Sequence, residues 1–395
     1  MSDMDLSTLL RRFAGSSTTI ALGDGVGAVG ALADGTSLCE RLSHFADDVG
    51  AVSLILGWTP TSLAGLRPDA FARIFTLMPG WGVRSLLTHS VTRSLPTSMA
   101  AIPALLSGHL RPDVLIARMT ERHDGLHFCT EVSWQQALFD AGVQIWAVLD
   151  RSANTASAEN PISSDAVTVI GYAGDRPAEV PPRRPDPIHE ELADRVLRLV
   201  PEGARLQYGP GQLGTALLER VDRPIGIDTG LLTDAVITLE RKGFLLGQPS
   251  ATYLLGSDEL YDWADGRPIL RGIEHSHDMT RLSQGRPFIA VNTAIEIDAV
   301  GQVNVEGIGD KVVGGIGGHP DYCTAARLSR NGLSIIAVPS RFGGRSPLVD
   351  TLSRPASTPA HDVEVVVTEH GSADLRGADW AQRRRLIADL FDRAS

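Results

Sequence analysis

Two glycine-rich segments of this sequence have the spacing that lets a backbone wrap around a phosphate. Both match the pattern G-x-G-x-x-G, the first over Gly25–Gly30 and the second over Gly209–Gly214. Glycines in such a turn allow close approach of the backbone, and a helix that follows the turn offers free N–H groups and the positive end of its dipole. The chemistry that these turns would support is the binding of a diphosphate, such as that of a nicotinamide dinucleotide.

A dinucleotide site also needs an acidic residue about 20 residues further on, where it binds a ribose hydroxyl. After the first motif the next predicted strand ends in Leu56-Gly-Trp-Thr, which contains no carboxylate. After the second motif Asp228 stands at a suitable distance, although Pro210 lies inside the turn. An NAD-dependent oxidoreductase is therefore a lower alternative that depends on the glycine motifs alone.

A third glycine cluster, Gly314–Gly318, is followed by His319 and Pro320. Proline suits the first position of a helix, because its missing N–H would have no partner there. We therefore expect Gly317 and Gly318 to present backbone N–H groups just ahead of a helix. Such amides bind a diphosphate, or the oxyanion of a tetrahedral intermediate in acyl transfer. The alternative is a tight turn that binds no ligand.

The sequence lacks the signatures of several other classes of enzyme. The sequence contains no G-x-S-x-G nucleophile elbow, no Walker lysine motif and no His-Glu-x-x-His. His275 and His277 would share one face of a strand, but no third ligand is positioned, so we predict no metal site. Cys129 and Cys323 are candidate nucleophiles, although isolated cysteines are more often small buried hydrophobic residues.

The composition excludes several classes of protein. The 395 residues carry 36 Lys+Arg against 47 Asp+Glu, a formal net charge of −11. No basic block offsets this charge, so we expect neither nucleic acid nor a membrane as a partner. The three separated cysteines form no disulfide framework, and the sequence shows no signal peptide and no apolar run long enough to cross a bilayer. These features predict a cytoplasmic protein.

Short apolar runs alternate with longer amphipathic stretches, which predicts parallel strands joined by crossover helices. The segment Pro177–Pro187 is rich in proline and must run extended. We therefore predict two open α/β domains, over residues 1–180 and 188–395, with an opening helix at Ile188–Leu199 and an antiparallel hairpin around Gly301. The predicted strands are Thr18–Leu22, Val52–Leu56, Val114–Ala117, Ile145–Leu149, Val167–Ile170, Arg205–Tyr208, Pro224–Ile227, Phe288–Val291, Ser334–Val338 and Val363–Val367.

Several segments carry a family resemblance. In the second half they are Gly209–Leu213, Ile225–Val236, Ala251–Asp262, Val291–Asn304, Gly314–Tyr322 and Val367–Gly377. In this order they resemble the acetyl-CoA hydrolase/transferase family, the class I CoA-transferases that include 4-hydroxybutyrate and succinyl-CoA:acetate CoA-transferases. A weaker likeness upstream, at Arg93–Pro96, Asp113–Thr120 and Asp124–Phe128, extends the resemblance over most of the chain.

The resemblance implies α/β domains of the CoA-transferase (NagB/RpiA-like) type in a homodimer, with the active site between domains and no tightly bound cofactor. It implies acyl-CoA and a small carboxylic acid as substrates, and a glutamate that forms an acyl-glutamyl anhydride and then a glutamyl-CoA thioester. By position, Gly317 and Gly318 match the loop at the thioester, and Glu369 matches a carboxylate near the nucleophile. The residues that match the CoA-binding turn are Gly209, Pro210, Gly211, Gln212 and Leu213.

One departure from the family changes the expected chemistry. The family's nucleophile lies in a segment that reads approximately His-Thr-Glu-Met-Phe-Ser-Asp-Gly, and this sequence has Asp228-Thr-Gly-Leu-Leu-Thr-Asp-Ala there. Gly230 therefore stands at the glutamate position. A glycine has no side chain to carry a thioester, so the covalent route cannot run as it does in relatives.

The departure leaves four interpretations. In the first, water hydrolyses the thioester, with Glu369 or Asp228 as general base and the amides of Gly317 and Gly318 at the oxyanion. In the second, Asp228 replaces the missing nucleophile of a transferase. The third is a catalytically inactive CoA-binding homologue or partner subunit, and the fourth is the NAD enzyme described above. For Glu369, a structural ion pair with Arg376 is the alternative to a catalytic role.

Overall fold

The computed structural model describes residues 6–10, 12 and 17–392. The helices in these ranges are α1 Leu6–Leu10, α2 Leu38–Val49, α3 Ile102–Ser107, α4 Gln135–Asp140, α5 Pro187–Leu197, α6 Gln212–Arg220, α7 Ala235–Arg241, α8 Asp258–Ala264, α9 Ile273–Ser276, α10 Met279–Ser283, α11 His319–Leu328 and α12 Trp380–Asp392. The strands are β1 Thr18–Leu22, β2 Val52–Leu56, β3 Arg73–Thr76, β4 Thr92–Ser94, β5 Val114–Arg122, β6 Gly125–Phe128, β7 Gln144–Leu149, β8 Val167–Tyr172, β9 Arg205–Tyr208, β10 Gly226–Ile227, β11 Leu231–Leu232, β12 Tyr253–Leu254, β13 Phe288–Asn292, β14 Glu296–Asp298, β15 Val303–Asn304, β16 Gly307–Ile308, β17 Lys311–Val312, β18 Leu333–Ala337, β19 Leu348–Val349, β20 Val365–Thr368 and β21 Gly371–Asp374.

Two open sheets form the framework of the described chain. The first has the order β4-β3-β2-β1-β5-β7-β8, all parallel, with β6 paired antiparallel to β5. The second has the order β10-β9-β13-β18-β20-β21 and is parallel except for β21. Connections between parallel neighbours must cross over the sheet, which explains the alternation of apolar runs and amphipathic stretches in the sequence. The predicted α/β class is confirmed.

Individual elements also agree with the sequence pattern. The strands at Thr18–Leu22, Val52–Leu56 and Arg205–Tyr208 have the predicted bounds. The hairpin around Gly301 is present, because β14 and β15 pair antiparallel. Residues 176–186 form neither helix nor strand. One hydrophobic cluster nevertheless contains core residues of both halves, such as Leu115 and Leu206, so the domain boundary stays a prediction.

The helices are short, and local sequence determines where several of them end. Ser37 precedes α2 and accepts a hydrogen bond from Glu40 N at its Oγ, while Gly50 follows the helix with φ of 77°. Asp186 caps α5 in the same way, through His189 N. Such caps satisfy backbone groups that have no partner inside the helix. Within the described ranges, none of the helices combines the length and apolar character that crossing a membrane requires.

Candidate functional site

The carboxyl ends of strands from both sheets meet at one cavity of about 250 Å³. Trp58 and Met78 follow β2 and β3 of the first sheet, and Gly209 follows β9 of the second sheet, where Asn292 ends β13. Open α/β sheets bind ligands at the carboxyl ends of their strands, because the loops there form a crevice. The other lining residues are Pro79, Trp81, Met99, Gln207, Tyr208, Pro210, Gly230, Leu231, Tyr253, His277, Gly314, Gly315, Gly317, Gly318, His319 and Tyr322.

The described part of the cavity wall carries no ionised side chain. Among the residues of the described ranges that line it, none is Asp, Glu, Lys or Arg. Trp58 packs edge to face against Trp81 and Tyr253, with ring centroids 5.7 and 5.9 Å apart. Met78 and Met99 extend this apolar wall on the side formed by the first half of the chain. The wall suits an apolar ligand group and offers no cation that would compensate a buried carboxylate.

Gly230 belongs to this wall and is fixed by hydrogen bonds of its backbone. Its carbonyl oxygen accepts from the amides of Thr252 and Tyr253, at 3.0 and 3.1 Å. A Cβ atom on residue 230 would lie 3.2 Å from Tyr322 Oη and 3.5 Å from His277 Nε2. The place where a side chain of residue 230 would begin is therefore adjacent to two polar groups.

His277 and Tyr322 are buried and lie against each other, with ring centroids 4.7 Å apart. His277 Nδ1 lies 3.0 Å from Ser276 Oγ. Burial, reinforced by the charge of Arg281, lowers the pKa of His277 to about 3, so its imidazole is neutral near pH 7. Tyr322 Oη has no hydrogen-bond partner in the part of the chain that is described, and burial raises its pKa, so it remains a hydroxyl.

His319, the other histidine of the wall, uses both ring nitrogens. Nε2 lies 3.0 Å from the carbonyl oxygen of Thr293, to which it must donate, and Nδ1 lies 2.6 Å from Thr358 Oγ1. Burial lowers the pKa of His319 to about 4, so the neutral ring accepts the Thr358 hydroxyl proton at Nδ1. His319 therefore holds the start of α11 in place, whereas His277 has a ring nitrogen that faces the cavity.

The glycine cluster precedes α11, as predicted. Gly317 has a left-handed φ of 64°, its carbonyl oxygen accepts from Met99 N at 2.9 Å, and it forms an isolated parallel bridge with Ser98. A Cβ atom on Gly318 would lie 2.5 Å from His277 Nε2, so only glycine fits there. Because the backbone of Gly317 is engaged with the first half of the chain, Gly318 is the better candidate to donate an amide to an oxyanion.

Asp228, predicted as a general base, does not line the cavity. Its two carboxylate oxygens accept from Arg281 at 2.8 Å each, and Arg205 adds a third bond at 3.1 Å. The carboxylate is buried and fully occupied by these guanidinium groups. The same contacts leave Asp228 unable to bind a ribose hydroxyl or to replace a nucleophile at position 230. Asp228 thus makes structural contacts with Arg205 and Arg281, and its role as a general base stays a prediction.

The variant Asp228→Asn is expected to lose about 2–3 kcal/mol of stability, because it leaves two guanidinium charges without their partner. The expected loss of stability is smaller than for a fully buried ion pair, because Arg205 and Arg281 are partly exposed. Thermal melting checks it, with Asp310→Asn at an exposed loop position as the control. An unchanged melting temperature together with lost activity would instead indicate a catalytic base.

Glu369 also lies outside the cavity wall. Its carboxylate accepts from the amide of Ser340 at 2.8 Å and from the Ser340 hydroxyl. Burial alone would raise the pKa of Glu369, but these hydrogen bonds outweigh it and lower that pKa. The alternative ion pair with Arg376 is wrong, because Arg376 binds Asp374 at 2.6 Å. Glu369 therefore orders the segment that begins at Ser340.

The first glycine motif binds acidic side chains of the protein itself. Gly27 N donates to Glu131 Oε2 at 3.1 Å, and the amides of Gly30 and Ala31 donate to Asp175 Oδ2 at 2.8 and 2.9 Å. A Cβ atom on Gly27 would lie 2.3 Å from Glu131 Oε1, which explains why the turn needs glycine. These amides are occupied, so the first motif does not cradle a dinucleotide diphosphate.

The second glycine motif lies in the predicted strand–turn–helix arrangement, because it forms the turn between strand β9 and helix α6. Gly209 and Pro210 line the central cavity, Pro210–Gln212 line a neighbouring cavity of about 360 Å³, and all of Gly209–Leu213 line another of about 280 Å³. The turn is therefore accessible to a ligand that extends from the central cavity. In the interpretation as an NAD enzyme, Asp228 would bind the ribose. This interpretation is weakened, because the Asp228 carboxylate binds Arg205 and Arg281 instead.

The remaining candidates have other places in the fold. His275 lies in α9 and His277 follows that helix, so the predicted shared face of a strand is wrong. Within the described ranges, no three potential metal ligands form a cluster. Cys129 and Cys323 are buried, and burial raises the pKa of Cys323 to about 12. These thiols stay protonated and are poor nucleophiles.

Comparison with solved structures identifies the architecture. RipA from Yersinia pestis superimposes with a TM-score of 0.85 at 21% identity, over 99% of this chain and 96% of that chain. A 4-hydroxybutyrate CoA-transferase from Porphyromonas gingivalis gives a TM-score of 0.74 at 20% identity, over 98% and 93% of the two chains. The predicted CoA-transferase fold is confirmed.

Comparison of sequences shows which proteins the chain resembles. Residues 256–392 match the acetyl-CoA hydrolase/transferase C-terminal domain. The 4-hydroxybutyrate coenzyme A transferase of Clostridium kluyveri is 29% identical over 227 residues, 53% of this chain and 52% of that protein. The acetyl-CoA hydrolase of Candida albicans is 26% identical over 254 residues, 58% and 48% of the two chains. The chain thus spans about half the length of these curated relatives. Together the matches show a similarity to the acetyl-CoA hydrolase/transferase family, which the family model supports over residues 256–392.

Proposed function

We propose that this protein hydrolyses an acyl-CoA thioester by direct attack of water, without a covalent glutamyl intermediate. The observation that carries the proposal is the wall around Gly230, where the described lining residues include no carboxylate. The covalent route needs a carboxylate at the thioester, and the two that the sequence suggested, Asp228 and Glu369, are bound to structural partners elsewhere. Water is the nucleophile that needs no side chain at position 230.

The same wall favours water over a carboxylic acid as the acyl acceptor. A transferase must hold the acid acceptor as an anion, which is costly in a buried site without a cation. No Lys or Arg is present among the described residues that line the cavity. Trp58, Met78 and Met99 instead offer an apolar surface, so we propose that the acyl group is apolar.

Two glycine segments would hold the thioester. We propose that CoA runs along the turn formed by Gly209, Pro210, Gly211, Gln212 and Leu213, and that Gly318 donates its amide to the carbonyl oxygen of the thioester. The position of Gly318 immediately before α11 supports this role, since the first amides of a helix have no partner inside it. The relatives named a CoA-transferase and an acetyl-CoA hydrolase support CoA thioesters as the substrate class.

The purified protein is expected to release free thiol from acyl-CoA esters when no carboxylic acid is present. We expect kcat/KM to be higher for apolar acyl chains than for acetyl-CoA, because the wall that receives the chain is apolar. A thiol assay over a series of chain lengths checks this. Added acetate or succinate should leave the rate of thiol release unchanged, whereas acceleration by either acid would indicate a transferase.

A catalytically inactive CoA-binding homologue is the second candidate, and Gly230 itself favours it, since a chain that lost catalysis would first lose its nucleophile. This candidate predicts that CoA raises the melting temperature while no acyl-CoA ester releases thiol. A protein that neither releases thiol nor responds to CoA would contradict both candidates.

A further inference from the structure

We propose that His277 is the general base of this hydrolysis, and that His277 Nε2 and Tyr322 Oη together hold the attacking water beside Gly230. This inference rests on the proposed function, because it assigns the step that activates water in that reaction. It replaces Asp228 and Glu369, neither of which lines the cavity.

The geometry around Gly230 provides a place for one water molecule. The point where a Cβ atom would sit lies 3.2 Å from Tyr322 Oη and 3.5 Å from His277 Nε2. A water molecule cannot lie at this point, which is one bond length from Gly230 Cα, but Gly230, His277 and Tyr322 line the same cavity. A water molecule in that cavity, in contact with Gly230 Cα, would have two polar groups as neighbours, which is the number that an ordered buried water needs. Tyr322 Oη is buried and without a hydrogen-bond partner in the described part of the chain. Burying an unpaired hydroxyl is unfavourable, so a ligand or water at this place satisfies it.

The neighbours of His277 set which ring nitrogen carries the proton. Ser276 Oγ donates its hydroxyl proton to the carbonyl oxygen of Gly272 at 3.1 Å, and therefore accepts from His277 Nδ1 at 3.0 Å. The proton on Nδ1 leaves a lone pair on Nε2, the atom that faces Gly230. His319 has the reverse arrangement, because its Nε2 donates to the Thr293 carbonyl. Ser276 is thus a positioning residue for His277.

The reaction balances with water as its only co-substrate. As the water oxygen attacks the thioester carbonyl carbon, one water proton moves to His277 Nε2 and the carbonyl becomes an oxyanion held by the amide of Gly318. Tyr322 Oη donates to the water oxygen and orients it. When the oxyanion collapses, the carbon–sulfur bond breaks, the electron pair leaves with the CoA sulfur, and the sulfur takes the proton from Nε2. The products are a carboxylic acid and the CoA thiol, and His277 is restored.

The first test fills the space beside Gly230, where the water is proposed to contact its Cα, with a methyl group. Gly230→Ala is expected to lower kcat by about 10²-fold, because the methyl group displaces the attacking water, with little change in KM. Gly226→Ala is the matched control in the same segment, since a Cβ atom on Gly226 meets its nearest neighbour, Arg205 Cγ, at 3.5 Å. The control should retain wild-type kcat. Equal kcat for Gly230→Ala and wild type would overturn the inference.

The second test separates catalysis from packing. Tyr322→Phe removes an unpartnered buried hydroxyl, so we expect its melting temperature to equal or exceed that of the wild type while kcat falls. His277→Gln is expected to lower kcat by about 10²-fold, the low end of the usual contribution of a general base, because its low pKa makes His277 a weak base. A merely structural role for Tyr322 would lower the melting temperature, and unchanged kcat in His277→Gln would contradict the proposal.

The third test does not depend on activity. Nitrogen NMR of the histidine-labelled protein, with the His277 signals assigned by their loss in His277→Gln, should show the proton of the neutral ring on Nδ1. A proton on Nε2 would overturn the inference and leave the proposed function intact. If the wild-type protein released thiol from no acyl-CoA, the proposed function and the inference would both fail.

Discussion

Replacing Gly230 with glutamate is expected to abolish hydrolysis by water and to produce a covalent adduct of CoA on the protein. The new side chain would begin 3.2 Å from Tyr322 Oη, would extend into the space that we assign to the attacking water, and would displace that water. Its carboxylate would enter a cavity whose glycine loops are already in place. Attack of that carboxylate on acyl-CoA would break the carbon–sulfur bond, expel the CoA thiolate and form an acyl-glutamyl anhydride. Attack of the thiolate on the glutamyl carbonyl would then release the acid and leave a glutamyl-CoA thioester.

The Gly230→Glu experiment has a clear readout in the mass of the intact protein. After incubation with an acyl-CoA, the mass should rise by that of one CoA less one water, and borohydride should remove the adduct. Gly230→Gln has almost the same shape without the carboxylate, and it should show neither the adduct nor hydrolysis. An adduct on the wild-type protein would mean that another side chain acts as nucleophile, which would contradict our account of Gly230.

Stability is expected to fall between about pH 5 and about pH 8, and Glu131→Gln is expected to remove most of that fall. Burial raises the pKa of Glu131 from its ordinary value of 4.5 to about 8, against hydrogen bonds from Thr130 and Gly27 that lower it. Between these two values the native carboxyl is protonated and the unfolded one is ionised. Unfolding therefore releases a proton, and a rising pH favours the unfolded state.

The expected effect of Glu131→Gln is large because the shift spans several pH units. Each unit corresponds to about 1.4 kcal/mol, so the wild type should lose up to about 4 kcal/mol over this range relative to the variant. Glutamine can accept from Thr130 and Gly27 as the protonated acid does. Burial also raises the pKa of Asp24, to about 6. In the variant, the free energy of unfolding should therefore still fall with rising pH at the lower end of the range.

Urea unfolding at three pH values across this range measures how the free energy of unfolding changes with pH. The matched control is Glu121→Gln, an exposed position on β5 of the same sheet, which should follow the wild type. A Glu131→Gln variant whose free energy of unfolding ran parallel to that of the wild type would show that Glu131 is ionised in the native protein.

The fold was largely predictable from the sequence because its signals are local. Strand candidates such as Thr18–Leu22 are apolar runs bounded by turn residues, and the helix that follows the glycine cluster is marked by Pro320. The family motifs also located Gly230 and the glycine loops that line the cavity. These features depend on residues that are close together in the chain.

The partners of charged groups were not predictable, because they are distant in sequence. Asp228 binds Arg281, 53 positions away, and Glu369 binds Ser340, 29 positions away. Both looked available for catalysis when only their own motifs were considered. The sequence suggests only a metal-binding role for His277. Nothing in its segment indicates that α9 places it close to Gly230.

The apolar wall contributed by the first half of the chain was missed for a related reason. Neither Trp58 nor Met78 belongs to a recognised motif. The Trp58 segment bears on the sequence analysis only because it contains no carboxylate that could bind a ribose. Their place in the cavity follows from the way the two sheets face each other. The local signals that pointed to this part of the molecule were the glycine loops and the glycine in place of an expected glutamate.

A single turnover in water enriched with the heavy oxygen isotope tests the central claim most directly. The protein, in excess over an apolar acyl-CoA, should release free CoA and a carboxylic acid that carries one labelled oxygen, while the mass of the protein stays unchanged. Acyl-CoA that remains intact, or a protein that gains CoA or labelled oxygen, would contradict direct attack of water at Gly230.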